Sequence, residues 1–570
     1  MSQFLEFKNA KCKDCYKCLR ECPVKAINIK NHQAEIIEDR CILCGHCTLT
    51  CPQNAKVVHS ELNEVKALLD HHNKVIASVA PSFVSSFGIQ NFNVMKLALG
   101  RLGFADAEET AIGAQAVIKD YTRLLQSGAF ENFISSACPA VCRMIQEYYP
   151  KALKYLAPVD SPMVAHAKLI KNRLPDATIV FIGPCIAKKR EAFESDLIAN
   201  VLTFEELEQW FKENEIKLEQ ITQLDLTAHN GAPNLAKAFP ICHGIIHSFP
   251  TLPENYEYIS ADGPKKCVKA LSNIEHLKHV FLELNLCIDA CVSGPCSLSS
   301  DIGGVKATAD VRRYISAEKK KLTALQDTSP LPVNLTAAHP RIRSHSLPVP
   351  EHEMEAILHQ TGKFTPDDEL NCGACGYPTC REKAWAVYNG YADVEICLPY
   401  MRQRAESLSF EIIKNSPEGI IVLDSDMNII EANSKGRELL GITDTEIKGR
   451  PAVDFFDATD YMNAYDQKKH LECKKMFIPA SERYVDVSIN YLKGQNVLFG
   501  IMKDVTESVN YEERIHEVTM KTLATTDSVI KKQMRVAQEI ASLLGETTAE
   551  TKVALLKLKK ALSTSANNDE

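Results

Sequence analysis

CKDCYKCLRECP at residues 12–23 returns as CILCGHCTLTCP at residues 41–52: Cys12, Cys15, Cys18 and Cys22 recur as Cys41, Cys44, Cys47 and Cys51, and Pro23 and Pro52 follow each last cysteine. A repeat with such fixed spacing is a duplicated module. The chain of 570 residues holds 21 cysteines, and thiols at short regular spacings act as metal ligands or redox centres far more often than as disulfides when the compartment is reducing. A cytoplasmic location is expected, because no window approaches about 18 apolar residues and MSQFLEFKNAKC lacks the apolar core and cleavage site of a secretory signal. At about 150 residues per domain the length implies roughly four domains. The composition, 45% apolar and 24% charged, excludes wholesale disorder and fibrous architectures. Lys and Arg number 65 against 73 Asp and Glu, a net charge of -8, which excludes nucleic acid or an anionic membrane as the main partner.

Outward from the repeat, the text changes character several times. From 61 to 325, helix-like stretches alternate with VIASVAPS (75–82), FISSACPA (133–140) and TIVFIGPC (178–185), short apolar runs that read as buried strands delivering ligands at their ends. Residues 326–350 carry five prolines and the basic patch RIRSHS, a linker or an extended wrapping segment. Residues 351–402 hold Cys372, Cys375, Cys380 and Cys397, and from 405 to 507 period-2 alternation predicts a small α+β domain with an antiparallel sheet. Residues 508–570 place Leu523, Ile530, Met534, Ala537, Ala541, Leu544, Leu555, Leu558 and Leu562 at 3-and-4 spacing, predicting long helix broken near Gly545, as a coiled-coil dimer or a hairpin, before a disordered tail. The expected fold class is multidomain, α/β and α+β.

The paired C-x2-C-x2-C-x3-C-P runs resemble the bacterial two-cluster ferredoxins, in which three cysteines of one loop and the fourth of the other hold each 4Fe-4S cluster. That implies Cys12, Cys15 and Cys18 with Cys51, and Cys41, Cys44 and Cys47 with Cys22. Zinc, the alternative, has no need of a third cysteine at this spacing. His46 reads as packing. The set Cys372, Cys375, Cys380 and Cys397 resembles the small iron–sulfur domain of several anaerobic redox proteins and implies one further 4Fe-4S cluster, with a closed zinc site as the alternative. Cys142, Cys242, Cys267, Cys296 and Cys473 read mainly as small buried hydrophobes.

SSACPAVC (135–142), IGPCIAKKRE (182–191) and LCIDACVSGPC (286–296), taken together, resemble the FeFe hydrogenases. The resemblance covers about residues 1–325 and implies an H-cluster, a cubane joined to a diiron unit with CO, CN and dithiolate ligands. It places the cubane on Cys138, Cys185, Cys287 and Cys291, with Cys291 bridging to the diiron unit. It also puts Lys188 on a cyanide and Ala80, Pro81 and Ser82 along the other side. The departures matter as much. Ala137 stands where the family has a proton-relaying thiol, Ala157 where it has a relay serine, and TAIGAQ (110–115) where it has an acidic relay segment. Glu191 is left as the relay acid. Gly183 and Asn285 replace methionines packed on the diiron unit, so the cavity is expected to be roomier or more polar. Proton transfer needs groups within hydrogen-bond reach, so slow turnover follows.

Residues 405–507 resemble a PAS domain: EIIKNSPEGIIVLDSDMNIIEANSKGRELLG opens it, Asn433 precedes a helix, and DVTE (504–507) leads to the output helix. Neither His470 as a haem ligand nor His516 as a phosphoacceptor is favoured. Together these resemblances imply a sensory FeFe hydrogenase of low activity that relays H2 or redox state through its clusters and the PAS domain. The implied partners are H2 and protons, the hydrogenase maturation enzymes, a ferredoxin-type redox partner, a separate phosphatase or kinase, and a second copy of the chain through the PAS domain and helix. The alternatives are a catalytic ferredoxin-linked hydrogenase with a non-standard proton path, and an iron–sulfur scaffold without H2 chemistry.

Overall fold

The computed structural model describes residues 4–7, 11–71, 74–222, 234–298, 303–319, 331–343, 347–442, 447–493, 496–544 and 548–564. The side chains of Cys473, Ala541, Leu544 and Leu562, together with Gly545 and the tail from 565, lie outside what is described. The chain divides into two compact units, Met1–Met401 and Arg402–Glu570. Among the described residues no helix is long and apolar enough to cross a membrane.

In the first unit, each half of the cysteine repeat runs from its loop into a short helix, Lys17–Glu21 or His46–Thr50, and the two helices lie against each other. Two antiparallel ribbons frame them, Leu5–Phe7 with Lys56–Val58 and Ile27–Lys30 with Gln33–Ile36. Next come two parallel sheets. One has the order Asp106–Glu109, Val75–Val79, Thr178–Gly183, Asn200–Thr203; the other runs Glu257–Asp262, Val280–Asn285, Phe133–Ile134. Val75–Val79 and Val280–Asn285 are buried at every residue, the burial expected of parallel strands covered on both faces. Ala80, Ser135, Pro184 and Leu286 directly follow four of these strands, so the motifs converge at the strands' carboxyl ends, where open α/β sheets bind ligands.

One apolar core runs through the whole cysteine-rich part: Leu19 and Ile27 of the repeat, Ile145 and Leu282 of the α/β part, and Tyr377 and Ile396 of the Cys372–Cys397 module belong to it. Arg40 locks the three together. Its guanidinium lies 4.6 Å from the Tyr391 ring and 5.4 Å from both Trp385 and Tyr148, donates to Val24 O, and the Arg40 carbonyl accepts from Tyr148 Oη. Desolvated cation–π contacts of this kind contribute about 2 kcal/mol each. Residues 331–343 act as a strap: Thr336 bridges to Val159, Asp160 N donates to Leu335 O, Ile342 N donates to Gln146 O, and Leu335 is buried. Of the two expectations for this proline-rich stretch, these residues follow the wrapping one, because backbone hydrogen bonds tie them to the α/β part.

The second unit is a five-stranded antiparallel sheet, ordered Ile429–Ala432, Gly419–Leu423, Val497–Asp504, Arg483–Leu492, Leu471–Ile478. The helix Thr506–Leu544 then folds against Thr548–Thr564 as a hairpin, with Ile530 buried and Asp527 paired to Lys559. Leu558, expected on the packed stripe, is 56% exposed. A second stripe, Tyr511, Ile515, Val518, Val529, Val536 and Ile540, also stays exposed.

Candidate metal centre

Cys138 caps the helix Pro139–Tyr148, with proline in its first turn, while Cys185, Cys287 and Cys291 follow the ends of the strands Thr178–Gly183 and Val280–Asn285. The structure brings these four together. Cys138 and Cys185 both act electrostatically on Cys287 and Cys291, and Cys138 acts on Cys185. Burial is the largest influence on three of them, pushing the Cys185 thiol up to about 11 and those of Cys287 and Cys291 well above their ordinary value. All four are partly exposed, and Cys185 and Cys291 open onto an internal hollow. Clustered buried thiols disfavour thiolate on their own; a bound metal reverses this, because a coordinating thiol is deprotonated outright. Among the described residues no three His, Cys, Asp or Glu side chains converge closely enough to hold one ion. A single zinc demands such convergence at about 2.3 Å, whereas a cubane spreads its thiolates over four irons.

Beside these thiols lies a cavity of about 90 Å³ whose wall includes Ala80, Pro81, Ser82, Ala137, Cys185 and Cys291. The residues fit a polar group bound there: Ser82 Oγ is fully buried with no hydrogen-bond partner among the described residues, and Lys188 reaches the same wall. Lys188 Nζ donates to Ser161 Oγ at 2.9 Å and to Glu191 Oε2 at 2.6 Å. Burial alone would lower its pKa, but the Glu191 carboxylate and the Cys185 and Cys138 thiols more than offset that, and the ammonium is retained. Glu191 itself lines a separate open cleft of about 420 Å³.

Of the two expectations, a roomier or a more polar cavity, Gly183 does not supply the first. A Cβ there would fall 2.7 Å from the Phe181 ring, because residues two apart share a strand face and Phe181 has taken the space. The wall is more polar at Asn285, whose amide donates to Glu283 Oε1 at 3.3 Å. Glu283 escaped sequence reasoning. It is fully buried, and burial pushes its carboxyl up to about 7 although Ile246 N and other backbone groups donate to it.

Most of the electrostatic influences among the repeat cysteines run within the two crossed sets, although Cys47 senses Cys18 as well as Cys41 and Cys22. Cys18 senses Cys51 and Cys12, and Cys44 senses Cys22, Cys47 and Cys41. Cys12, Cys15, Cys18 and Cys51 together line one small hollow. Cys44 also acts on Cys287, so the second set adjoins the buried four. Gly45 makes that contact possible, since a Cβ at its positive φ would fall 2.4 Å from Pro295. In the third module Cys375 senses Cys397 and Cys372, Lys363 Nζ lies 3.4 Å from Cys397 Sγ, and Cys380 N donates to Asn371 Oδ1. His46 faces Glu21 at 3.8 Å. Cys142 and Cys267 are buried and donate to the carbonyls of Ser136 and Asn285, while Cys296 is buried and Cys242 is half-buried beside Ser260.

Comparison with known proteins supports this partition. The family of the iron only hydrogenase large subunit, C-terminal domain, matches residues 73–295; the 4Fe-4S dicluster domain matches 11–55, an Fe-S cluster family 368–399 and the PAS domain 417–507. The NADP-reducing hydrogenase subunit HndD of Solidesulfovibrio fructosivorans is 26% identical over 40% of this chain and 44% of its own length. Iron hydrogenase 1 of Clostridium pasteurianum is 27% identical over 38% and 45%. The chain therefore spans less than half the length of these curated relatives. A solved FeFe-hydrogenase from Chlamydomonas reinhardtii is 19% identical, covering 45% of this chain and 88% of that one, with a TM-score of 0.37. Residues 73–295 are thus an FeFe-hydrogenase domain, combined in one chain with a dicluster ferredoxin domain, an Fe–S domain and a PAS domain.

Proposed function

We propose that this chain is a sensory FeFe hydrogenase: it reacts slowly and reversibly with H2 and passes the resulting state to a separate phosphatase or kinase. The observation that carries the reading is the wall at Ala137. A hydrogenase cavity with its thiols and Lys188 in place has, at the position of a proton-relaying thiol, a methyl group that exchanges no proton. Cys138, Cys185, Cys287 and Cys291 would hold an H-cluster, which supplies reversible H2 and proton chemistry when bound. Ser161 and Glu191 fix the Lys188 ammonium toward that site, while Pro81, Phe181 and Met163 keep its wall dry. The dicluster cysteines and Cys372, Cys375, Cys380 and Cys397 would hold three further 4Fe-4S clusters for electron exchange. The exposed helical stripe fits a second copy of the chain.

A positioned proton-transfer group contributes typically 10²–10⁴-fold to a rate. Matured wild-type protein is therefore expected to show CO and CN infrared bands and H2 turnover lower than ordinary family members by about 100-fold, with Ala137→Cys raising it about tenfold. Turnover at the ordinary rate in the wild type would remove the main support for a sensor and favour the catalytic alternative.

A further inference from the structure

One wall of the cavity leads out through an unbroken hydrogen-bond chain. Thr110, on the wall, places Oγ1 2.8 Å from Ser78 Oγ; Ser78 Oγ lies 2.8 Å from His166 Nδ1; His166 Nε2 lies 3.2 Å from Glu108 Oε2. Both Glu108 oxygens accept from Arg173, whose side chain is 54% exposed. Thr110, Ser78 and His166 are buried.

The fold builds this row. Ser78 and Glu108 are register partners on adjacent parallel strands, Thr110 directly follows the second strand, and the helix Pro162–Arg173 supplies both His166 and Arg173. Gly113 allows that helix so close, since a Cβ there would fall 2.2 Å from Pro162 O and 2.6 Å from His166 N. The donors also have a direction. Burial opposes the Glu108 charge, yet His166 and Arg173 hold its carboxyl down to about 2, so it accepts from Nε2–H. Nδ1 then accepts from Ser78 Oγ–H, and Ser78 Oγ accepts from Thr110. Burial lowers the His166 pKa against the pull of Glu108, which favours the neutral ring, the form that can take a proton.

We propose that Thr110, Ser78, His166 and Glu108 form a proton path between the cavity and the surface, a slower substitute for the relay that Ala137 and Ala157 do not provide, because both hydroxyls must turn before a second proton can pass. A proton received at His166 Nδ1 through the two hydroxyls is matched by release of Nε2–H to Glu108 and on to water; one proton moves and no electron does. The inference rests on the hydrogenase reading. Of the buried acids near the cavity, Glu283 is separated from it by the Asn285 amide, which does not exchange protons in this way, and Glu109 is held by Lys237 and Tyr314.

The test uses the full chain, matured for turnover and unmatured for nuclear magnetic resonance. Ser78→Ala and Thr110→Val should keep the CO and CN bands, lower H2 turnover about tenfold or more, and enlarge the solvent isotope effect, while Thr110→Ser restores what Thr110→Val loses. In unmatured protein, the ¹⁵N signals of His166 should show Nδ1 hydrogen-bonded in the wild type and released in Ser78→Ala. Unchanged turnover and isotope effect in both Ser78→Ala and Thr110→Val would overturn the path, as would abolition of turnover by Glu283→Gln alone. Absence of CO and CN bands from the wild type would instead overturn the hydrogenase reading beneath it.

Discussion

Matured Cys291→Ala protein is expected to lose its CO and CN bands and all H2 turnover. Cys291 lies on the wall of the 90 Å³ cavity and within the cluster of four thiols, so it stands where the two halves of an H-cluster would meet. The family resemblance gives it the bridging role, and it shares the cavity wall with Cys185. Cys142→Ala is the matched control: that thiol is buried nearby but donates to a backbone carbonyl, and its removal should leave the bands in place. Bands of unchanged intensity in Cys291→Ala would contradict the assignment.

Asn433→Ala should destabilise the PAS domain by about 3–5 kcal/mol, because truncation orphans several buried backbone groups at about 1–3 kcal/mol each. Asn433 Oδ1 accepts from Ile420 N and Gly436 N at 2.8 and 2.7 Å, and Nδ2 donates to Ile413 O and Glu418 O, both at 2.9 Å. One side chain thus joins the entry segment, the first strand and the helix Ser434–Leu439. A domain's whole stability is typically 5–15 kcal/mol, so opening should become visible. Both tryptophans of the chain, Trp210 and Trp385, lie outside this domain, so hydrogen exchange of Gly419–Leu423 is the better measurement than fluorescence. Protection within about 1 kcal/mol of wild type would show that water replaces the amide.

What could be read from the sequence was chemistry held at short covalent spacing. The repeat at Cys12–Cys51 and the motifs around Cys138, Cys185 and Cys287 are compact, and few alternatives satisfy their spacing. Asn433 and DVTE were legible for the same reason. Features assembled from distant segments were not. Arg40 is an ordinary basic residue until Tyr148, Trp385 and Tyr391 close over it. Gly183 suggests space in the sequence, but the Phe181 ring two residues back on the same strand face fills it. The Ser78–His166 contact depends on sheet register and on Gly113. The signal that could have found it is a lone histidine in the apolar stretch PMVAHA of a buried helix. The choice between a hairpin and an intermolecular coiled coil rests on which apolar stripe the last helix covers, and the spacing allows both.

The junction from the sheet to the helix Thr506–Leu544 is tied tightly. Asp504 Oδ1 accepts from Thr506 N and Oγ1, its Oδ2 accepts from Arg483, and Thr506 Oγ1 accepts from Tyr484 N. A strained or shifted sheet therefore carries the helix with it, and a bias of a few kcal/mol between two states is enough to change their populations. The helix Leu398–Lys414 begins directly after Cys397, which gives the Fe–S domain a covalent route to the PAS domain. The most direct measurement is hydrogen exchange of Thr506–Leu544 in matured full-length protein under H2 and under oxidant. The sensory account predicts that exchange differs between the two and that Cys380→Ala removes the difference while the CO and CN bands persist. Identical exchange under both conditions in the wild type would contradict it.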